Sequence, residues 1–334
     1  MIAHHPPGYL GRKETAARRV KAQVREPLAT ACYSHEDCAA HLTPEGHPEQ
    51  VARLRAVEHG LAGLPLLRLQ APMGEDADIL RCHPAAYLAQ LRAAVPVGRM
   101  VGLDPDTWMS PGSLQAALRA VGGICAAVDL VMAGGAGNAF VGCRPPGHHA
   151  ERDRAMGFCL FGTAAIGAMH ALEVHGLSRV AVLDFDVHHG NGTQDLLWDE
   201  RRVRFISSHQ MPLYPGTGEV SERGAHGQIE NLPLDEGSGG AAMWQAWQPA
   251  LERLRAWGPE LIVISAGFDA HRDDPLAGLE WTEVDFARLT AAICDVAAEC
   301  CSGRVVSTLE GGYDLPALAA SVAAHVGELA RNAR

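Results

Sequence analysis

The sequence predicts an α/β protein in which one parallel sheet carries helices on both faces. Three observations lead to this. Short apolar runs recur along the chain, each bounded by glycine, proline or charge, as buried parallel strands require. Longer stretches with helical periodicity separate them. Each run is followed at once by a polar cluster, and open α/β sheets bind ligands at that edge.

Taken in order, residues 1–30 read as an N-terminal extension that includes a basic stretch at 12–25, and residues 31–334 as one domain. Helices are expected at 49–61 and 84–95, with a strand around 66–69. From residue 112 the alternation is regular. A helix at 112–132 leads to a strand at 139–142, and a helix at 158–175 to a strand at 179–184. A strand at 203–207 precedes a helix at 241–257. Strands at 261–266 and 305–309 flank a helix at 282–300, and a helix at 315–331 closes the pattern. No repeat or low-complexity linker divides the chain.

At 334 residues, 47% hydrophobic and 20% charged, the composition is that of a globular protein and not of a disordered one. A net charge of −11 argues against a general nucleic-acid surface. The sequence shows no apolar segment behind a basic start and no uninterrupted apolar run of spanning length, so no membrane partner and a cytoplasmic setting are expected. Nine scattered cysteines suit reduced thiols better than a disulfide framework. The quartet Cys32, His35, Cys38 and His41 has metal-ligand residue types, but its even spacing lacks the longer loop that separates ligand pairs, so it reads as a polar loop. Dinucleotide, P-loop and nucleophile-elbow signatures are absent.

The most informative segment is DFDVHHGNGTQ, residues 184–194. An extended strand end places Asp184, Asp186 and His188 on one face, where Asp186 and His188 can grip one ion. Asp269, in GFDAHRDDP after another strand, is the natural third ligand. Two carboxylates and one imidazole leave a coordination position for water and substrate, as in catalytic zinc sites. His148 and His149 follow the rigid Arg144-Pro145-Pro146-Gly147 approach and have Asp184 and Asn191 as candidate partners, which suits a tuned acid/base pair. Tyr313 follows Gly311 and Gly312, whose backbone freedom lets a phenol donor be presented opposite the metal.

These motifs resemble the histone deacetylase and acetylpolyamine amidohydrolase superfamily, above all its class II and bacterial deacetylase-like members. The resemblance runs from about residue 41 to about residue 319 and rests on HLTPEGHPEQVARL, RPPGHHAE, MGFCLF, DFDVHHGNGTQ, SAGFDAHRDDPLAG and LEGGYDL. It implies the arginase-deacetylase fold, with a single eight-stranded parallel sheet, and a zinc-dependent amidohydrolase as the catalytic domain. Zinc would be held by Asp186, His188 and Asp269. His149 would act as general base and then general acid, oriented by Asn191. His148 would be its electrostatic partner, held by Asp184, and Tyr313 would donate to the carbonyl oxygen. A monovalent cation, potassium, would involve Asp184, Ser207 and backbone carbonyls of Asp186, His188 and Ser208.

By the same resemblance Phe158, with Gly157 beside it, and Tyr214 wall a tunnel for an acyl-lysine stem. Asp106 falls where relatives position the substrate backbone, and Arg53 matches an arginine lining an internal acetate channel. The chain departs from the pattern at Leu42, where an aspartate is usual, and at Gly162 and Thr163, where two asparagines are common.

The implied activity is removal of acetyl or short acyl groups from lysine-type primary amines, with acetylpolyamine hydrolysis as the alternative. Some polyamine-selective relatives carry a glutamate seven positions past the third ligand; this chain has Leu276, which favours lysine-type substrates. A silent acyl-lysine binding module is disfavoured by the presence of all three ligands, both histidines and Tyr313. A binuclear ureohydrolase is disfavoured by His189 and Gly190, where a further carboxylate would be needed. Expected partners are acetylated lysine side chains or acetylated polyamines; the chain could also form a homo-oligomer.

Overall fold

The computed structural model describes Met1, Ile2, His4 and residues 28–334. The basic stretch at 12–25 lies outside the described residues, and the first strand begins at Thr30.

The elements run β1 (Thr30–Ser34), α1 (Ala52–Leu61), β2 (Leu66–Gln70), α2 (Asp76–Ile79), α3 (Ala85–Ala94), β3 (Val101–Gly102), β4 (Trp108–Met109), α4 (Ser113–Met132), β5 (Asn138–Val141) and α5 (Thr163–Glu173). They continue with β6 (Val180–Asp184), α6 (Asn191–Leu196), β7 (Val203–Gln210), β8 (Ile229–Leu234), α7 (Gly240–Trp257), β9 (Leu261–Ala266), α8 (Glu283–Cys301), β10 (Val305–Leu309) and α9 (Leu315–Arg331). A short 3-10 turn at Glu36–Ala40 follows β1.

Eight strands form one sheet in the order β2-β1-β5-β10-β9-β6-β7-β8, while β3 and β4 make a separate antiparallel pair. Every pairing in the large sheet is parallel. The central strands are buried along their whole length because helices cover both faces, which is why they read as continuous apolar runs with no alternation. One core cluster joins α4 and α5 to one sheet face through Ile124, Val128, Ile166 and Val182. The other joins α7, α8 and α9 to the opposite face through Trp247, Phe286, Val326 and Ile264. α4 is long and apolar enough to cross a membrane by length and composition, and most of its apolar window is buried in the first cluster.

Helix starts follow capping chemistry. Thr282 and Asp285 form a reciprocal box at α8, and the Asp314 carboxylate accepts from Ala317 N–H at 2.8 Å at α9. One expected boundary is corrected: the helix predicted at 158–175 begins only at Thr163. Gly157 and Phe158 both have positive φ, +55° and +68°, which no helix interior tolerates. A Cβ on Gly157 would also lie 2.4 Å from the His149 ring, so glycine is required there.

Beneath the sheet's carboxyl edge, Glu49 bridges two fully buried arginines. It pairs with Arg53 at 3.0 Å and takes both arms of the Arg144 guanidinium. Burial favours the neutral acid, but the charges of Arg144, His41 and Arg53 outweigh it and hold the Glu49 carboxyl well below its usual range. This network locks the chain entering the Pro145-Pro146-Gly147 turn.

Candidate active site

The four central strands, β5, β10, β9 and β6, are neighbours in the sheet although far apart in sequence. Their carboxyl ends deliver RPPGHH, EGGYD, GFDAH and DVHHGN to one place, the crevice where parallel sheets bind ligands. Register fixes this: Asp184 lies level with Ser265 on β9 and with Ser207 on β7.

Asp186, His188 and Asp269 converge. His188 Nδ1 lies 3.2 Å from Asp186 Oδ1 and 3.2 Å from Asp269 Oδ2. One ligand atom from each falls within 4.8 Å of the others, and all three residues are buried. Each carboxylate is aimed by a backbone N–H: Gly311 donates to Asp186 Oδ2 at 2.8 Å and Val187 to Asp269 Oδ1 at 2.9 Å. A Cβ on Gly311 would stand 2.1 Å from the Asp269 carboxylate, and one on Gly267 2.1 Å from Asp186, so the glycines make room for the pair.

Two buried carboxylates this close repel. Burial and then Asp186 push the Asp269 pKa up, while Asp186 is held down because, against burial, it has His148 and His188 beside it. Burial alone would lower His188, yet hydrogen bonds to both acids raise it to about 10. Such a negative, enclosed pocket with one imidazole suits a divalent cation, and the donor set fits zinc.

The vicinal histidines diverge in their partners. His148 Nδ1 meets Asp184 Oδ2 at 3.1 Å, while His149 Nδ1 meets Asn191 Oδ1 at 2.7 Å. Burial opposes charge on both rings. At His148 the Asp186 and Asp184 charges prevail and raise the pKa well above normal, whereas burial plus the positive fields of His148 and His188 push His149 well below. His149 is therefore the neutral ring.

A cavity of about 240 Å³ opens onto His149, His188 and Tyr313, and Phe158, Tyr214 and Leu276 line it. Gly157, Leu213 and Asp106 complete the wall. Phe158 packs edge-on against Tyr313 with centroids 5.9 Å apart, and Tyr214 stands edge-on to His149 at 5.1 Å. Burial and then Asp269 raise the Tyr313 phenol well above its ordinary value, so it keeps its proton.

Sequence reasoning assigned no role to Glu310, Asp274, Thr107 or Leu213. Glu310 accepts from Gly147 N–H at 2.6 Å and His148 N–H at 3.1 Å, tying the histidine turn to β10; burial raises its pKa to about 7. Asp274 accepts from Tyr313 N–H at 2.6 Å and so fixes the phenol's backbone. Thr107 accepts from Phe158 N–H at 3.0 Å, holding the left-handed residue. None has a spacing that reveals it; Leu213, beside Tyr214, was the most accessible to inference. Arg53 lies under the Tyr313 ring at 5.0 Å and donates to Gly312 O at 2.7 Å. The quartet Cys32, His35, Cys38 and His41 does not gather: Cys32 is in β1, His35 caps the turn at Asp37, and His41 bonds Ser113 at 2.7 Å. All nine cysteines are free.

The family model described as histone deacetylase domain matches residues 47–329. A histone deacetylase-like amidohydrolase of Pseudomonas aeruginosa is 43% identical over 276 residues, covering 80% of this chain and 71% of that protein. A probable deacetylase of Methanothermobacter thermautotrophicus is 40% identical, covering 83% and 84% of the two chains. The crystal structure of the HDA15 HD domain superposes with a TM-score of 0.85 at 32% identity, covering 91% of this chain and 89% of that one. The eight-stranded parallel sheet is accordingly that of the arginase-deacetylase fold, and the chain belongs to the histone deacetylase family.

Proposed function

We propose that this protein is a zinc-dependent deacetylase that removes acetyl or short acyl groups from lysine-type primary amines. The observation that carries the reading is that one narrow cavity reaches His188 of a buried Asp/His/Asp cluster together with a neutral histidine and a phenol. Asp186, His188 and Asp269 would hold the ion, which supplies Lewis-acid polarisation of the acyl carbonyl and acidifies water.

The chain's own residues account for the rest. Phe158 and Tyr214 accept a straight methylene stem between their rings and keep water from its flanks. His149 presents its Nε2 lone pair to the cavity because Nδ1–H is engaged by Asn191; it takes the proton of the attacking water and then delivers it to the departing amine nitrogen. His148, kept charged by Asp186 and Asp184, adds a positive field to the burial that holds His149 neutral until then. Tyr313 donates to the carbonyl oxygen as it gains charge. The products are a carboxylate and a free amine.

Asp184 and Ser207, level across β6 and β7, would hold potassium with backbone carbonyls of Asp186, His188 and Ser208, stiffening the ligand strand. Nine free cysteines suit a reducing, cytoplasmic setting. Leu276, an uncharged wall residue, favours acyl-lysine over acylpolyamine. The test is turnover of acetyl-lysine peptides and acetylated polyamines by intact, chelated and zinc-restored protein. Hydrolysis of peptides that vanishes on chelation and returns with zinc is expected; hydrolysis unaffected by chelation overturns the reading.

A further inference from the structure

At the amino edge of the sheet, where α5 hands the chain to β6, lies a second cluster of ligating side chains. His170 Nε2 and His175 Nε2 each stand 2.7 Å from the same atom, Asp129 Oδ1. The three residues offer ligand atoms within 4.8 Å of one another. Asp129 comes from α4, His170 from α5 and His175 from the turn after it.

A separate feature points to what belongs between them. His170 is 6% exposed, and its other nitrogen, Nδ1, has no hydrogen-bond partner among the described residues. That nitrogen faces Asp78 Oδ1 at 3.8 Å. Asp129 Oδ1 gathers both imidazole Nε2 atoms on one side, and a cation set among the three would take all of them as ligands while Asp78 backs the far side of the His170 ring. A carboxylate behind the far nitrogen is the usual support of a metal-bound imidazole. Two imidazoles and one carboxylate suit zinc and its borderline first-row neighbours better than calcium or magnesium. The Asp129 side chain is 53% exposed and that of His175 23%, so water has access to complete the coordination.

We propose that Asp129, His170 and His175 form a second divalent-metal site, of the zinc class, that pins the end of α5 to α4. The site is remote from the cavity, and its ion would stabilise the fold without entering the reaction.

The experiment is equilibrium dialysis of the full chain against buffered zinc, with metal analysis, on wild type, His175→Ala and Asp129→Asn. These two positions are partly exposed, so the variants avoid cutting into the core as His170→Ala would. Each variant should bind one zinc per chain fewer than wild type while its deacetylase turnover is unchanged. Zinc should raise the wild-type Tm more than that of either variant, since a ligand of the folded state stabilises it. Asp78→Asn should weaken this zinc about 10- to 100-fold. Equal zinc stoichiometry in wild type and both variants overturns the proposal, and would leave hydrogen bonds from the two imidazoles as what satisfies Asp129. The difference between chains is read whatever the catalytic site holds, so the result is independent of the proposed activity.

Discussion

His149 hands its Nδ1–H to an amide oxygen, Asn191 Oδ1 at 2.7 Å, where its sequence neighbour His148 meets a carboxylate. The amide is held in that orientation because its nitrogen donates to Glu151 Oε1 at 2.8 Å. A neutral acceptor favours the charged ring less than a carboxylate would, so burial and the positive fields of His148 and His188 keep His149 neutral while His148 stays charged.

Asn191→Asp should undo that difference. A carboxylate beside a histidine raises its pKa by about 1 to 3 units. Since His149 must be neutral to take a proton, the acid limb of the kcat/KM profile should move to higher pH. An unmoved limb, with the variant folded, would remove Asn191 from the control of His149.

Tyr313→Phe should lower kcat by about 100- to 1000-fold, the usual cost of one oxyanion donor. Metal content should remain that of wild type, because the phenol is not among the Asp186, His188 and Asp269 group. Steady-state kinetics with parallel metal analysis would decide it; full turnover in the variant refutes the assignment.

Asp186→Ala should lose the catalytic ion outright, since Asp186 and Asp269 together create the negative pocket around His188. The variant should bind one metal fewer than wild type and show no turnover that added zinc restores. A variant that keeps the same metal stoichiometry would show the ligand set to be wrong.

Leu276→Glu should shift specificity. Leu276 lines the cavity, and a carboxylate there would meet a secondary ammonium farther along a polyamine chain. The ratio of kcat/KM for acetylated polyamine over acetyl-lysine peptide should rise about fivefold, the size of an exposed charge contact of about 1 kcal/mol. An unchanged ratio would place substrate selection elsewhere on the rim.

His325 should make the fold acid-sensitive. It is fully buried between Thr290 Oγ1 at 2.7 Å and Ser307 Oγ at 2.9 Å, and burial lowers its pKa to about 3. In the unfolded chain it titrates near 6.5, so between those values the unfolded state binds a proton that the folded state refuses. Its stabilising contribution is complete above about pH 6.5 and is lost as pH falls toward 3. Denaturant titrations across that window should show a shallower loss for His325→Gln than for wild type; parallel slopes would contradict the burial argument. His83 and His209, each lowered to about 4 by burial, add to the same trend in both proteins.

Local pattern was enough to reveal the strands β6, β9 and β10, because a parallel strand covered on both sides must be apolar throughout. It was also enough to single out Asp186, His188, Asp269, His148, His149 and Tyr313, whose residue types are costly to place together without chemistry. β1 and β8 did not show themselves, since their short runs lack such a signature, and α5 began later than its composition suggests because Phe158 adopts a left-handed backbone.

Tertiary structure alone decided the strand order that makes β5, β10, β9 and β6 neighbours. It also set Glu310 and Asp274 as the hydrogen-bond anchors of the histidine turn and of Tyr313. The same holds for the meeting of Asp129 with His170 and His175, 41 and 46 residues away along the chain. Sequence periodicity reports which face of an element is buried; which other element buries it depends on packing and chain crossovers between residues far apart, and those leave no spacing to read.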